Sequence, residues 1–216
     1  MSTAAIDYQL PLFTPAVSTL TGTPLRVCYP FNVAVDSDGN LYVADTGNDR
    51  IRKITPEGIV STFAGGKKGF IDGPGTKAQF NHPFGVAVDL SGNVYVADTA
   101  NRRIRKITPE GIVSTFAGGT RGSDDGIGTE AQFDHPYGVA VDSDGILYVA
   151  DSLNHRIRKI TSEGEVSTFA GSSQGYKDGT GEEAQFFGPT GVAVDSSGDL
   201  YVADAGNHRI RKIEYK

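Results

Sequence analysis

The chain has 216 residues, with 26 acidic side chains against 20 Lys and Arg and a net charge of -6. Surfaces that hold nucleic acid or anionic membranes by charge carry a basic excess, so this balance argues against both as the main task. Hydrophobic residues make up 38%, with 28 Gly and 10 Pro, a composition suited to many short strands joined by tight turns and to no long helix.

The N-terminal residues, MSTAAIDYQLPLF, lack the basic flank and the ~7–15-residue apolar core of a signal peptide, and no apolar run approaches the ~18 residues of a membrane helix. No membrane association is expected, and the cytoplasm is the default compartment. The single cysteine, Cys28, excludes an internal disulfide. Residues 17–22 read Val-Ser-Thr-Leu-Thr-Gly, a short strand that recurs later as Val-Ser-Thr-Phe-Ala-Gly at 60–65 and 113–118.

From here a 53-residue unit repeats, marked by Asp45, Asp98, Asp151 and Asp204 at the end of each Tyr-Val-Ala-Asp. Each unit opens with an apolar strand A (31–35, 85–88, 138–141, 191–194), whose small residues alternating with Val predict burial on both faces. An Asp-x-x-Gly turn leads to strand B, the Tyr-Val-Ala-Asp segment, because Asp bonds its own backbone and Gly supplies positive φ. Strand C is Arg-Ile-Arg-Lys-Ile (50–54, 103–107, 156–160, 209–213), and strand D is Val-Ser-Thr-Phe-Ala-Gly. Four meandering strands per repeat are a propeller blade.

The predicted fold is therefore all-β: a four-bladed β-propeller of antiparallel strands in one domain, 1–216, with blade 1 at 31–65, blade 2 at 84–118 and blade 3 at 137–171. Blade 4, at 190–214, ends after its strand C, and the strand at 16–22 is the piece it lacks. Closure of the ring by that N-terminal strand removes an open sheet edge. The alternative is an eight-bladed ring shared by two chains that exchange this strand. The monomer is favoured, because one chain holds a full complement of strands.

The segments NDRIRKI, NRRIRKI, NHRIRKI and NHRIRKI, each following Tyr-Val-Ala-Asp and a variable pair, resemble the NHL repeat over almost the whole chain. The resemblance implies a β-propeller, usually six-bladed in that family, so four repeats depart from the usual number. The family spans extracellular sensor domains, RNA- and protein-binding modules, and a few enzymes such as a copper- and zinc-dependent amidating lyase. It therefore implies a fold and leaves the chemistry to be argued from the residues.

With strand A at the axis and D at the rim, B–C turns and D–A connectors share one face. The connectors are long, such as 66–83, whereas 23–29 is eleven residues shorter and leaves a notch. Long loops on a rigid scaffold make this face the expected binding surface. Each connector carries an Asp-Gly-x-Gly at Asp72, Asp125 or Asp178. With neighbours such as Asp124 and Glu130 these could hold a hard cation, or they cap turns while Phe80, Phe133 and Phe186 anchor the loop; the second reading is preferred.

Before the Pro of each strand A stand Tyr29, His82, His135 and Gly188, expected near the mouth of the central channel. His82 and His135 are the candidate metal pair, although Tyr29 and Gly188 leave a three-His ring incomplete. The pairs Asp45 and Asn48, Asp98 and Asn101, Asp151 and Asn154, Asp204 and Asn207 are read as turns held by side-chain bonds. His155 and His208, beside two of them, are read as solvated.

Thirteen of the 20 Lys and Arg cluster at the strand C segments, where the expectation is long side chains turned to water and no RNA track, since no aromatic platform interleaves them. No cofactor is expected beyond an ion trapped in a narrow channel. The functional expectation is a non-enzymatic scaffold for a protein, peptide or glycan. The alternatives are a metal-assisted lyase or hydrolase at the channel mouth, and an RNA-binding module.

Overall fold

A computed structural model describes residues 18–20 and 27–214 of the chain. Strands β1 to β4 (Pro30–Val35, Leu41–Asp45, Arg50–Ile54, Val60–Gly65) form blade 1, and β5 to β8 (Pro83–Val88, Val94–Asp98, Arg103–Ile107, Ile112–Gly118) form blade 2. Blade 3 is β9 to β12 (Pro136–Val141, Leu147–Asp151, Arg156–Ile160, Glu165–Ala170), and blade 4 is β13 to β15 (Pro189–Val194, Leu200–Asp204, Arg209–Ile213). Each is an antiparallel meander, and together they make a four-bladed β-propeller. Helical structure among the described residues is limited to single 3-10 turns, and no helix is long and apolar enough to cross a membrane.

The A–B turns form for the reason their sequence gives. Asp36 Oδ1 accepts the N–H groups of Asp38 and Asn40 at 3.0 and 2.8 Å, and Gly39 adopts φ 81°. After each strand B, a 3-10 turn ends at a residue in the left-handed region: Asp49, Arg102, His155 and His208, with φ between 50° and 58°.

Blades pack face to face in series. Tyr95, Ala97, Ile104 and Ala117 of blade 2 meet Val139, Leu147, Val149 and Ile160 of blade 3, and equivalent sets fill the seams between blades 1 and 2 and between blades 3 and 4. Strand C buries residues of both alternate sets in blades 1, 2 and 3, but not in blade 4. Each fully buried Ile or Val contributes about 1.5–3 kcal/mol of transfer free energy.

The junction from blade 4 back to blade 1 differs from the other three. Val33 is 58% exposed where its counterpart Val86 is 3%, and Ile210 is 74% exposed where Ile104 is fully buried. Near the axis, a Cβ added to Gly85 would lie 2.3 Å from the carbonyl oxygen of Tyr137 in the next blade, and one added to Gly138 would lie 2.8 Å from that of Thr190. One added to Gly191 would meet only Ala203 of its own blade. Strand A of blade 1 is consequently exposed, which corrects the expectation that all four are buried on both faces: a preceding blade supplies that cover, and blade 4 does not come as close. The closing strand expected at 16–22 lies outside the described residues except for 18–20, which are exposed irregular backbone.

The connectors supply a further strand that the repeat pattern did not announce. Gly73–Pro74 pairs antiparallel with Val113 and Ile112 at the outer edge of blade 2, and Gly126–Ile127 pairs with Val166 and Glu165 of blade 3. Both blades thereby become five-stranded sheets with a covered rim.

Candidate functional site

The loop face is built on one device, repeated in blades 2, 3 and 4. Asp98, at the end of β6, is fully buried and accepts the Asn81 N–H at 2.7 Å, the Asn101 side-chain amide at 2.8 Å and Arg105 Nη1 at 2.9 Å. Asp151 and Asp204 do the same with Asn154 and Arg158, and with Asn207 and Arg211. Burial pushes the carboxyls of Asp98 and Asp151 up to about 6, against the pull of these donors.

The same arginines reach outward to the connectors. Arg105 Nη1 donates to the Gln79 carbonyl, its Nη2 to the Ile71 carbonyl and the Asp72 carboxylate, and its plane lies over the Phe80 ring with 5.1 Å to the centroid. Arg158 holds Asp125 and Arg211 holds Asp178 in the same way. Asn101, Asn154 and Asn207 add a 2.6 Å bond to the carbonyls of Gly69, Gly122 and Gly175. Each long connector is thus bolted to the blade that follows it by an Asp–Arg–Asp chain whose inner Asp is fully buried and whose outer Asp is half-exposed or exposed, and Phe80, Phe133 and Phe186 are buried beneath it.

This corrects the reading of strand C as a row of solvated cations. Arg105 and Arg158 are fully buried, because the strand face they share with Ile107 and Ile160 is covered by the neighbouring blade and the connector. A charge in such a place needs the two carboxylates it meets. The signal that could have located it was the coincidence of three acids or amides per repeat with one Arg at constant spacing.

Tyr29, His82, His135 and Gly188 all adopt positive φ, between 48° and 55°, and His82 and Gly188 bond across to the preceding blade. The His82 N–H donates to Asp49 Oδ1 at 2.8 Å, and the Gly188 N–H to His155 Nδ1 at 3.1 Å. His155 therefore joins blade 3 to blade 4, with its ring edge-on to Phe187, and is half-buried where solvation was expected. His208, its counterpart at the open junction, is exposed.

The two candidate metal ligands turn onto their own neighbours: His82 Nδ1 lies 2.8 Å from Asn81 Oδ1, and His135 Nδ1 2.9 Å from Asp134 Oδ1. Among the described residues no group of three or more His, Cys, Asp or Glu converges as a metal site. The axis itself is lined two residues further on. Phe31 meets Phe84 edge to face and Phe84 meets Tyr137 at a tilt, with centroids 4.5 and 4.7 Å apart, beside a cavity of about 160 Å³ that Asn32, Gly85, Gly138 and Thr190 help to line without an ionised side chain.

The outer surface of the connectors carries what the sequence reading did not single out. Phe70 and Tyr176 occupy the same connector position two repeats apart, both exposed, and Arg103 and Arg209 lie over their rings at 4.7 and 5.2 Å. Ile71, next to Phe70 in the chain, is exposed as well.

Repeated four-stranded blades with Asn-bolted B–C turns define a β-propeller of the repeat-built kind. The chain belongs to the NHL repeat family: the family model matches residues 27–54, 80–107, 133–160 and 186–213. It is 34% identical over 213 residues to Protein SUPPRESSOR OF QUENCHING 1, chloroplastic, of Arabidopsis thaliana, covering 90% of this chain and 20% of that protein. Among solved structures, a Bacteroides thetaiotaomicron protein of unknown function superposes with a TM-score of 0.69 at 29% identity, over 83% of this chain and 46% of that one. An auxiliary nutrient binding protein from Bacteroides ovatus gives 0.66 at 25%, over 84% and 47%. The chain thus spans a fifth of the plant protein and less than half of each of these two structures.

Proposed function

We propose that this propeller is a non-enzymatic recognition scaffold that binds a protein, peptide or glycan through its loop face. The observation that carries the reading is the pair of exposed aromatic rings, Phe70 and Tyr176, each backed by an arginine on a connector that is itself bolted to a rigid blade. Aromatic residues and Arg are enriched among the side chains that dominate binding energy, and they act best when preorganised. The nutrient-binding description of the Bacteroides ovatus structure supports a binding role of this general kind.

The test is selection of ligands from a displayed peptide library and a glycan array, followed by titration against two variants. Phe70→Ser with Tyr176→Ser is expected to weaken a selected ligand more than about tenfold, the loss of one or two anchor residues. Leu90→Ser, at an A–B turn of the opposite face, leaves it unchanged. Ligands that survive the first change and are lost with the second would overturn the reading, as would the absence of any selectable ligand.

A further inference from the structure

Each strand A carries one side chain to the axis at its loop-face end, directly after the Pro that opens it: Phe31, Phe84, Tyr137 and Thr190. This position varies while the Val-Ala-Val behind it does not. The backbone that presents it is held from outside, since Thr46 Oγ1 donates to the Pro83 carbonyl and Thr99 Oγ1 to the Pro136 carbonyl, both at 2.6 Å. Gly85 and Gly138 let neighbouring strands approach so closely that an added Cβ would strike the backbone of the next blade. Three rings are thereby gathered, with Phe31 and Tyr137 6.4 Å apart and Phe84 between them.

All four blades contribute to the axial cavity of about 160 Å³. Among the described residues no Asp, Glu, Lys, Arg or His lines it, so a charged guest would lose hydration there without meeting an opposite charge. Its polar groups are neutral and work in both directions: the amide of Asn32 and the hydroxyls of Tyr137 and Thr190 donate as well as accept. Asn32 Oδ1 accepts the Val86 N–H at 3.4 Å, which leaves its Nδ2 as a donor. The remaining wall is apolar, from the rings of Phe31 and Tyr137 and the side chains of Val139 and Val192. The volume lies below the ~300–1,000 Å³ of a drug-sized site and limits the guest to about one ring. A pyranose meets each condition: it is uncharged, its C–H faces lie well against aromatic rings, and its hydroxyls both donate and accept.

We propose that this axial cup binds one neutral sugar ring, the terminal residue of a glycan, with Phe31 and Tyr137 against its C–H face and Asn32, Tyr137 and Thr190 on its hydroxyls. The backbone repeats around the axis but these side chains do not, so the cup distinguishes one orientation of the ring from the others. The inference rests on the reading of the loop face as a recognition surface and deepens it by naming the ligand class. It places the sugar at the axis and not on the connectors that carry Phe70 and Tyr176.

The experiment titrates the full chain by calorimetry with the methyl glycosides of glucose, galactose, mannose and N-acetylglucosamine, and records saturation-transfer NMR for each. At least one is expected to bind with a Kd of about 1 mM or tighter, with transfer strongest at its ring C–H protons. Phe31→Ala, at an exposed side chain, should weaken it about tenfold or more. Tyr137→Phe removes one hydroxyl at constant shape, should weaken it about threefold or more, and serves should Phe31→Ala fail to fold. The methyl glycosides of glucuronic acid and glucosamine are expected to bind about tenfold more weakly than their neutral counterparts, and Phe70→Ser with Tyr176→Ser to change nothing. No binding by any of the four neutral glycosides, or equal binding of the charged ones, overturns the inference and leaves the loop-face reading to its own library selection. Binding that survives Phe31→Ala and Tyr137→Phe also overturns it, and if that binding is lost with Phe70→Ser and Tyr176→Ser the loop-face reading stands without the axial cup.

Discussion

At the scale of single residues, the buried arginines decide how the blades hold their loops. Replacing Arg105 by Ala leaves the Asp98 carboxylate buried without its cation, and a loss of about 3–5 kcal/mol is expected by urea unfolding, the range for breaking a buried pair from one side. The carboxyls themselves set a pH dependence. Asp98 and Asp151 titrate near 6 in the folded chain, above the unfolded value of 3.8. Between about pH 4 and 6 the folded state therefore holds protons that the unfolded chain releases, so these two groups withdraw stability as pH rises through that window and add no further change above it. Carboxyl carbon NMR should show midpoints near 6 for both, and midpoints at or below 4 would contradict the burial argument. Of this residue-scale picture, the Asp and Asn three positions apart were legible from spacing. The arginine was not, because Arg-Ile-Arg-Lys-Ile reads as Ile inward and Arg outward until a second blade covers the other face.

At the scale of elements, the connectors combine two roles that the sequence showed only in part. Their length and their Asp-Gly-x-Gly were visible, and they pointed to the loop face. Their service as a fifth strand was not, since Gly73–Pro74 and Gly126–Ile127 are only two residues each, three of the four being Gly or Pro, and offer no alternating pattern by which strands are recognised. Pairing there comes from the anchoring of Asp72 and Asp125, not from local preference. Asp72→Ala should accordingly free the connector without unfolding the blade. Amide exchange at Gly69 and Gln79, whose N–H groups bond the carbonyls of Phe80 and Ile71 at 2.9 Å, is expected to accelerate at least about tenfold. The global loss should be of order 1–2 kcal/mol for a half-exposed pair. Equal protection in wild type and variant would show that the loop holds itself.

At the scale of the whole molecule, near-identity among the repeats made the fold readable and also hid where it is incomplete. A period of 53 residues predicts four equal seams, but side chains that are interior in a blade with neighbours on both sides are exterior at the ends of the series, and no local pattern in Val33 or Ile210 distinguishes them from Val86 or Ile104. Tyr-Val-Ala-Asp and Arg-Ile-Arg-Lys-Ile serve as framework wherever the repeat is whole. The central claim, that three seams are packed and the fourth is left open as a surface, is tested most directly by comparing Ile104→Ala with Ile210→Ala in urea unfolding. Ile104, fully buried, is expected to cost about 2–5 kcal/mol, and Ile210 no more than about 0.5 kcal/mol, as for an exposed side chain. Equal, large losses at both positions would contradict the account, because they would mean that Ile210 is covered as its counterparts are.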